Sequence, residues 1–200
     1  IQKIASKVTL LAQETLSDTL ALLEHDNLQK ALRIMQKANQ IHLAAISYSL
    51  LLGQIFKLDM LRIGKNVNIC NTNGEELFLP AVIKNNDCII IISYSGEIHN
   101  LCSLARTLKG RSVPIIAITS LGDNELKKYA DVVLHISTRE KLYSKIAGYS
   151  NENSIKLILD ILYSCYFNLM YDDNLARRIA ISEQAEVGRE STLEIMKEDN

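Results

Sequence analysis

Five short runs rich in β-branched residues constrain this chain more than any other feature: "IHLAAI" (41–46), "VNIC" (67–70), "CIIIIS" (88–93), "PIIAIT" (114–119) and "DVVLHI" (131–136). Consecutive apolar positions over so few residues mark strands buried on both faces, whereas a strand with one wet face alternates. Helical segments separate them. "YSLLLGQIFKLDMLRIGK" predicts a helix closed by Gly64, and "EELFLPAVI" one whose first turn Pro80 makes irregular. "EIHNLCSLARTLKG" predicts a helix with Ile98, Leu101, Ala105 and Leu108 inward, and "DNELKKYA" a short one. Strands alternating with helices predict the α/β class, here an open doubly wound parallel sheet of about five strands.

Ahead of the first strand the grammar is purely helical. Ile4, Val8, Leu11, Leu16, Leu20 and Leu23 recur at a spacing that marks one apolar helix face. Asp26 or Asn27 can start a second helix with Leu28, Leu32 and Met35 on one side. After the last strand, "STREKLYSKIAGYS" reads as irregular. A long helix from about Asn153 to Met170 is then apolar on almost every side, which predicts cover from more than one direction, some of it from another subunit. The expected layout is linker or dimerisation helices over 1–38, an α/β domain over 39–172 and a charged helical tail over 173–200, docked or frayed.

In open parallel sheets ligands bind beyond the carboxyl ends of the strands. Three strands end on hydroxyls there: Ser47-Tyr48-Ser49, Ser93-Tyr94-Ser95-Gly96, and Thr119-Ser120 before Leu121-Gly122. Each precedes a helical segment, and helix N-termini expose unpaired amides and a partial positive charge, a setting suited to phosphate. Serine and glycine before a helix are also ordinary N-caps. One hydroxyl per helix suffices for capping, however, and an extended Ser93-Tyr94-Ser95 sends both serines to one side, leaving one in surplus.

Net charge is −1, so nothing in the balance suggests a nucleic-acid surface. No apolar run reaches the roughly 20 residues of a membrane span, and no secretory leader is visible. Cys70, Cys88, Cys102 and Cys165 are spaced too irregularly for zinc and read as small buried thiols of a cytoplasmic protein. His25, His42, His99 and His135 form no ligand pattern, so neither a metal nor a cofactor is expected. Walker A, dinucleotide-binding and nucleophile-elbow motifs are absent from the sequence.

Ser93-Tyr94-Ser95-Gly96-Glu97 resembles the S-x-S-G-E-T signature of sugar isomerase (SIS) domains, which bind phosphosugars. "PIIAITS" with "ELKKYADVVLHI" is similar to their next strand, helix and strand. "LRIGKNV", "STREKLYSKIA" and "LILDILY", with the leading "ETLSDTLALLEHDNLQKALRIMQKANQIHLAA", resemble the C-terminal effector domain of RpiR-type transcriptional regulators. The resemblance implies that Ser93 and Ser95 bind phosphate, that the amides of Gly96 and Glu97 face it, and that Ser49 matches the hydroxyl of the family's first loop, G-x-G-x-S. It implies a carboxylate acting on the sugar near Glu152, for which a first-turn glutamate answering the helix dipole is the alternative. Two positions depart: Ala45 and Ser47 stand where the first-loop glycines would be, and Ile98 replaces the closing threonine.

The expected function is therefore a sugar-phosphate sensor. It would act as a homodimer or tetramer and touch DNA only through a helix-turn-helix domain preceding Ile1, a start that is not Met and suggests a piece of a longer protein. The alternatives are a phosphosugar isomerase, which needs a base such as Glu152 or His99, and a scaffold without a ligand. Tyr48 and Tyr94 can wall the pocket or simply pack. Arg139, Glu140 and Lys145 can hold sugar hydroxyls, make a subunit contact or lie in a solvated loop.

Overall fold

The computed structural model describes residues 1–70 and 74–185. Two helices lead, α1 (Gln2–Ala21) and α2 (His25–Lys37), followed by β1 (Ile41–Ala44), α3 (Tyr48–Arg62) and β2 (Val67–Ile69). A 3-10 turn (Glu75–Leu77) enters α4 (Leu79–Val82), a single turn with Pro80 near its start. Then come β3 (Cys88–Ser93), α5 (His99–Gly110), β4 (Ile115–Ser120), β5 (Val132–Ile136), α6 (Tyr149–Asn168) and α7 (Tyr171–Ala185). Part of the turn expected at "NTNGEE", and the tail beyond 185, lie outside the described residues. The rest of the tail forms α7, which packs on α3 and α6.

All five strands run parallel in the order β2-β1-β3-β4-β5. The chain builds outward from β1 to β2, returns to the other side of β1 for β3, and continues to β5. The switch point therefore lies between β1 and β3. Every residue of β3 is buried, as its unbroken apolar run requires. Alternate side chains serve two cores. Ile90 and Ile92 join Phe56 and Met60 of α3, Met35 of α2 and Ile155, Ile158 and Leu162 of α6. Ile89 and Ile91 join Leu101, Ala105 and Leu108 of α5. Fully burying each isoleucine contributes roughly 2 kcal/mol.

Three points go beyond the sequence reading. The apolar stripe of α1 does not pack inward: Ile4 is 67% exposed and Leu20 61%. The buried face of α1 is instead made of hydroxyls. Thr15 Oγ1 donates to Ser150 Oγ (3.1 Å) and Thr19 Oγ1 to Ser154 Oγ (3.0 Å), both pairs fully buried. Small side chains let the two helices approach closely, and each buried hydroxyl finds a partner. The second concerns α6, which packs within this chain against α1, α2, α3, α7 and β5. Third, α6 begins at Tyr149, ahead of the expected Asn153.

That early start has a tertiary cause. Ser150 N–H, in the first turn, donates to the carboxylate of Glu140, ten residues upstream in the irregular segment. A carboxylate at a helix N-terminus satisfies an otherwise orphan amide and answers the dipole. No helix among the described residues is long and apolar enough to cross a membrane.

Candidate functional site

Parallel strands put all their carboxyl ends on one rim. Ser93 pairs in register with Thr119, and Ser120 with Ile136. The loops after β1, β3 and β4 thus share that rim, and α6 starts from it after the 137–148 segment returns from β5.

The β1–α3 loop presents Ser47 and Tyr48 exposed and Ser49 half-buried. Ser47 sits at φ 57°, ψ −132°, a region a side chain rarely adopts, and its hydroxyl does not cap α3. Behind it, Gly53 lets α3 lie directly on β1: an added Cβ would sit 2.7 Å from Leu43 Cδ2. Replacing Ser47 with Gly releases the backbone strain. The Ser47→Gly variant is expected to be more stable by about 1 kcal/mol in urea denaturation, because relief of the strain exceeds the added freedom of the unfolded chain.

The β3–α5 loop is wound on itself. Ser93, 1% exposed, accepts the Gly96 N–H through both Oγ (3.1 Å) and its carbonyl (3.2 Å). Ser95 Oγ accepts the Glu97 N–H at 3.2 Å. The two amides expected to face an anion are therefore held by the loop's own serines. Glu97 turns its carboxylate to the Glu125 N–H (2.9 Å). The amino end of α5, with Ile98 at the cap position, receives no side-chain cap bond. None of these serines is an ordinary N-cap in its bonding: those of the β3 loop close tight turns, and Ser47 makes no cap bond.

The β4 loop is built differently. Thr119 is fully buried, its Oγ1 accepting from Asn124 Nδ2 (3.2 Å), so its hydroxyl supports the loop from beneath. Ser120 is half-buried, its N–H donating to the Tyr94 carbonyl (3.2 Å), which ties the two loops. The short helix expected from "DNELKKYA" is only a 3-10 turn, Leu126–Lys128, so no helix dipole backs this loop. Beside it, hydrogen bonds from Lys128, Tyr129 and Arg106 hold the Glu125 carboxyl at about 2.

Tyr94 fastens the rim to the 137–148 segment. Its hydroxyl donates to the Glu140 carbonyl (2.7 Å) and accepts the Glu140 N–H (3.2 Å), while Lys145 Nζ stands 5.4 Å from the ring centroid. Arg139 pairs with Asp18 (2.6 Å) and Glu14 (2.8 Å) of α1. These contacts anchor the segment within the chain, a role that the sequence readings of Arg139, Glu140 and Lys145 did not include. Glu152 is half-buried in the first turn of α6 and lies over Gly148, where an added Cβ would meet its Oε1 at 2.4 Å. His99 is exposed at the first position of α5.

The anchoring roles of Glu140, of Asn124 and of the Thr15–Ser150 seam escaped sequence reasoning. Each joins residues from separate elements, and only the position of Asn124 two residues after the turn Gly122 offered a local signal. Burial raises the thiols of Cys70 and Cys88 to about 12 and that of Cys102 above its ordinary value, which leaves all three poor nucleophiles. Among the described residues no group of three or more His, Cys, Asp or Glu side chains could hold a metal.

A doubly wound parallel sheet whose switch-point loops carry hydroxyls at uncapped helix ends is the open α/β class, in which ligand sites form at the carboxyl rim. Residues 34–163 match the SIS domain model, and the chain belongs to the SIS domain family. Its fold resembles that of the Vibrio vulnificus NanR protein complexed with ManNAc-6P (18% identity, TM-score 0.83, covering 92% of this chain and 69% of that one). It also resembles the sugar isomerase domain of an RpiR transcription factor from Sphaerobacter thermophilus (15%, 0.79, 90% and 99%). A third similar structure is the phosphoheptose isomerase GmhA from Neisseria gonorrhoeae (15%, 0.71, 84% and 98%). A transcription-factor domain and an isomerase thus share this fold.

Proposed function

We propose that this chain is the phosphosugar-sensing effector domain of an RpiR-type transcriptional regulator. A sugar phosphate would enter the carboxyl rim between the β1 and β3 loops, at Ser47, Ser49, Ser93 and Ser95, with the uncapped starts of α3 and α5 supplying amides. Tyr48, Tyr94, Gly96, Glu97, Thr119, Ser120 and Glu152 complete the candidate site as wall, floor and sugar-facing groups. The observation that carries this reading is that the hydroxyls of the two switch-point loops are not spent on capping the helices behind them. Ser93 and Ser95 already accept the Gly96 and Glu97 amides, so in this reading their hydroxyl protons, with the helix amides, make a dianion cradle that needs no lysine. In this reading the protein is cytoplasmic and assembles as a homodimer or tetramer, and DNA contact belongs to a helix-turn-helix domain outside residues 1–200.

Helices α1 and α2 support a sensor over an isomerase. They precede the sheet, and α1 is tied to the rim through Arg139 and to α6 through its hydroxyl seam. Of the two candidate bases, His99 faces solvent and Glu152 lies half-buried in the first turn of α6, so the isomerase alternative rests on Glu152.

The test is thermal stability with glucose 6-phosphate, fructose 6-phosphate and ManNAc-6P, each against its unphosphorylated sugar. A ligand at a hundred times its dissociation constant adds about 2.7 kcal/mol, or roughly 5–10 °C in a domain of this size. The Ser93→Ala/Ser95→Ala variant is expected to fold, since the Gly96 N–H keeps the Ser93 carbonyl, and to lose the shift. Equal shifts with and without phosphate would defeat the reading. Turnover of a bound aldose phosphate to its ketose would transfer the domain to the isomerases.

A further inference from the structure

Helix α1 outruns the body it packs on. Thr15 meets Ser150 in the first turn of α6, and Thr19 meets Ser154 one turn on, so the two helices run parallel from the carboxyl rim. The residues ahead of Thr15 therefore project past the start of α6. Residues 1–10 are all exposed, about 15 Å of helix without tertiary cover. So short a helical stretch gains little from propensity alone, and a surface that holds it adds stability.

The charges of α1 are divided along its length. Its basic residues are Lys3 and Lys7, both in the projecting half, and its acidic residues are Glu14 and Asp18, both in the anchored half. Lys3 and Lys7 make no ion pair among the described residues. Glu14 and Asp18 share the single guanidinium of Arg139, which leaves one negative charge over. Ile4, Lys7, Leu11, Glu14, Asp18 and Leu22 follow one another at intervals of three or four residues and so lie along one line of the helix surface. A cavity of about 530 Å³ borders the acidic end of that line. Its lining includes Asp18, Ala21 and Leu22, Leu121 and Gly122 of the β4 loop, and Arg139. Leu121 is 53% exposed, so the hollow offers apolar surface beside a carboxylate.

One end of α1 is thus apolar and basic, and the hollow at its other end is apolar and acidic. The two cannot meet within one chain, because Lys7 and Asp18 stand roughly 16 Å apart on the same helix. They meet when a second copy is laid antiparallel on the first. We propose that this face of α1 pairs with the same face of a second copy about a twofold axis, the projecting half of each helix lying along the hollow of the other. Placing Ile4 of one copy against Ala21 of the other also places Lys7 against Asp18, and the twofold makes each contact twice. The exposed stripe of α3, with Leu51, Ile55 and Leu58, is another uncovered apolar face, but its Asp59 and Arg62 pair with each other and call for no partner charge. The proposal gives the homodimer of the sensor reading its interface and rests on that part of the reading alone. It also brings a basic arm of the second copy to the loop that follows Thr119 and Ser120.

The experiment is sedimentation equilibrium of the 200-residue chain and of two single charge reversals, Lys7→Glu at an exposed position and Asp18→Lys at a half-buried one. The unchanged chain is expected to dimerise. Each reversal should weaken self-association about tenfold or more, since like charges then face each other twice across the seam. An equimolar mixture of the two variants should recover the dimer, because every facing pair is again of opposite sign. Mixing would not repair a loss of folding in either variant. An unchanged chain that stays monomeric at every concentration would overturn both this interface and the homodimer of the sensor reading. A dimer that Lys7→Glu leaves intact would put the contact elsewhere, as on α3, and overturn the interface alone. A mixture that stays dissociated would do the same.

Discussion

Gly96→Ala is expected to destabilise the chain by about 2–4 kcal/mol and to abolish any stabilisation by sugar phosphates. Gly96 adopts φ 68°, where a Cβ costs roughly 1–2 kcal/mol. The added carbon would also stand 2.1 Å from Asn124 Cγ, so the Asn124 side chain must leave. It cannot leave freely. Asn124 is 7% exposed, donates to Thr119 Oγ1, and accepts the Lys127 N–H at 3.3 Å. Displacing it strands the buried Thr119 hydroxyl and loosens the β4 loop together with the β3 loop. Gly110→Ala is the control, because an added Cβ there meets nothing within 4 Å. Urea denaturation of the two variants measures the difference, and equal stabilities would show that Gly96 does not hold this geometry.

Asp87→Ala should cost a further large amount, about 3 kcal/mol, seen as a fall in melting temperature of roughly 6–12 °C. The Asp87 residue is 3% exposed and its carboxylate accepts two backbone N–H groups, one from the turn entering β3 and one from the residue before β1. Truncation leaves both amides unpaired beside an already unpaired His42. Asp87→Asn keeps the shape and one acceptor oxygen, so its loss should be near half as large. Calorimetry of the three proteins checks the order, and an Asn variant as unstable as the Ala variant would mean that charge, rather than hydrogen bonding, sustains the turn.

Much of the fold was legible in local patterns. "CIIIIS" is a central strand because six consecutive residues without a polar face can be satisfied only between two helical layers. Gly64, at φ 79°, ends α3 where a left-handed cap was expected. The serine loops were legible too, since strand ends in a parallel sheet share a rim whatever else the chain does. Less legible was what each hydroxyl binds. Ser93 and Ser95 close turns around the amides of Gly96 and Glu97, and Thr119 lies beneath Asn124. A residue type at a loop position gives hydrogen-bonding capacity, while the partner depends on how the next loop is laid against it.

The succession of short apolar runs and amphipathic segments determined that this chain forms a parallel α/β sheet with its loops gathered at one rim. Those choices rest on backbone propensity and on the periods of helix and strand, which are local quantities. Tertiary structure alone decided that α1 turns Thr15 and Thr19 inward while Leu10, Leu16 and Leu20 face solvent, that Glu140 starts α6 early, and that His42 is buried without a partner. A period shows that a face exists but not what will cover it. That outcome depends on the size, charge and hydrogen bonds of surfaces more than a hundred residues apart, such as Thr15 and Ser150, which meet only when the sheet has closed.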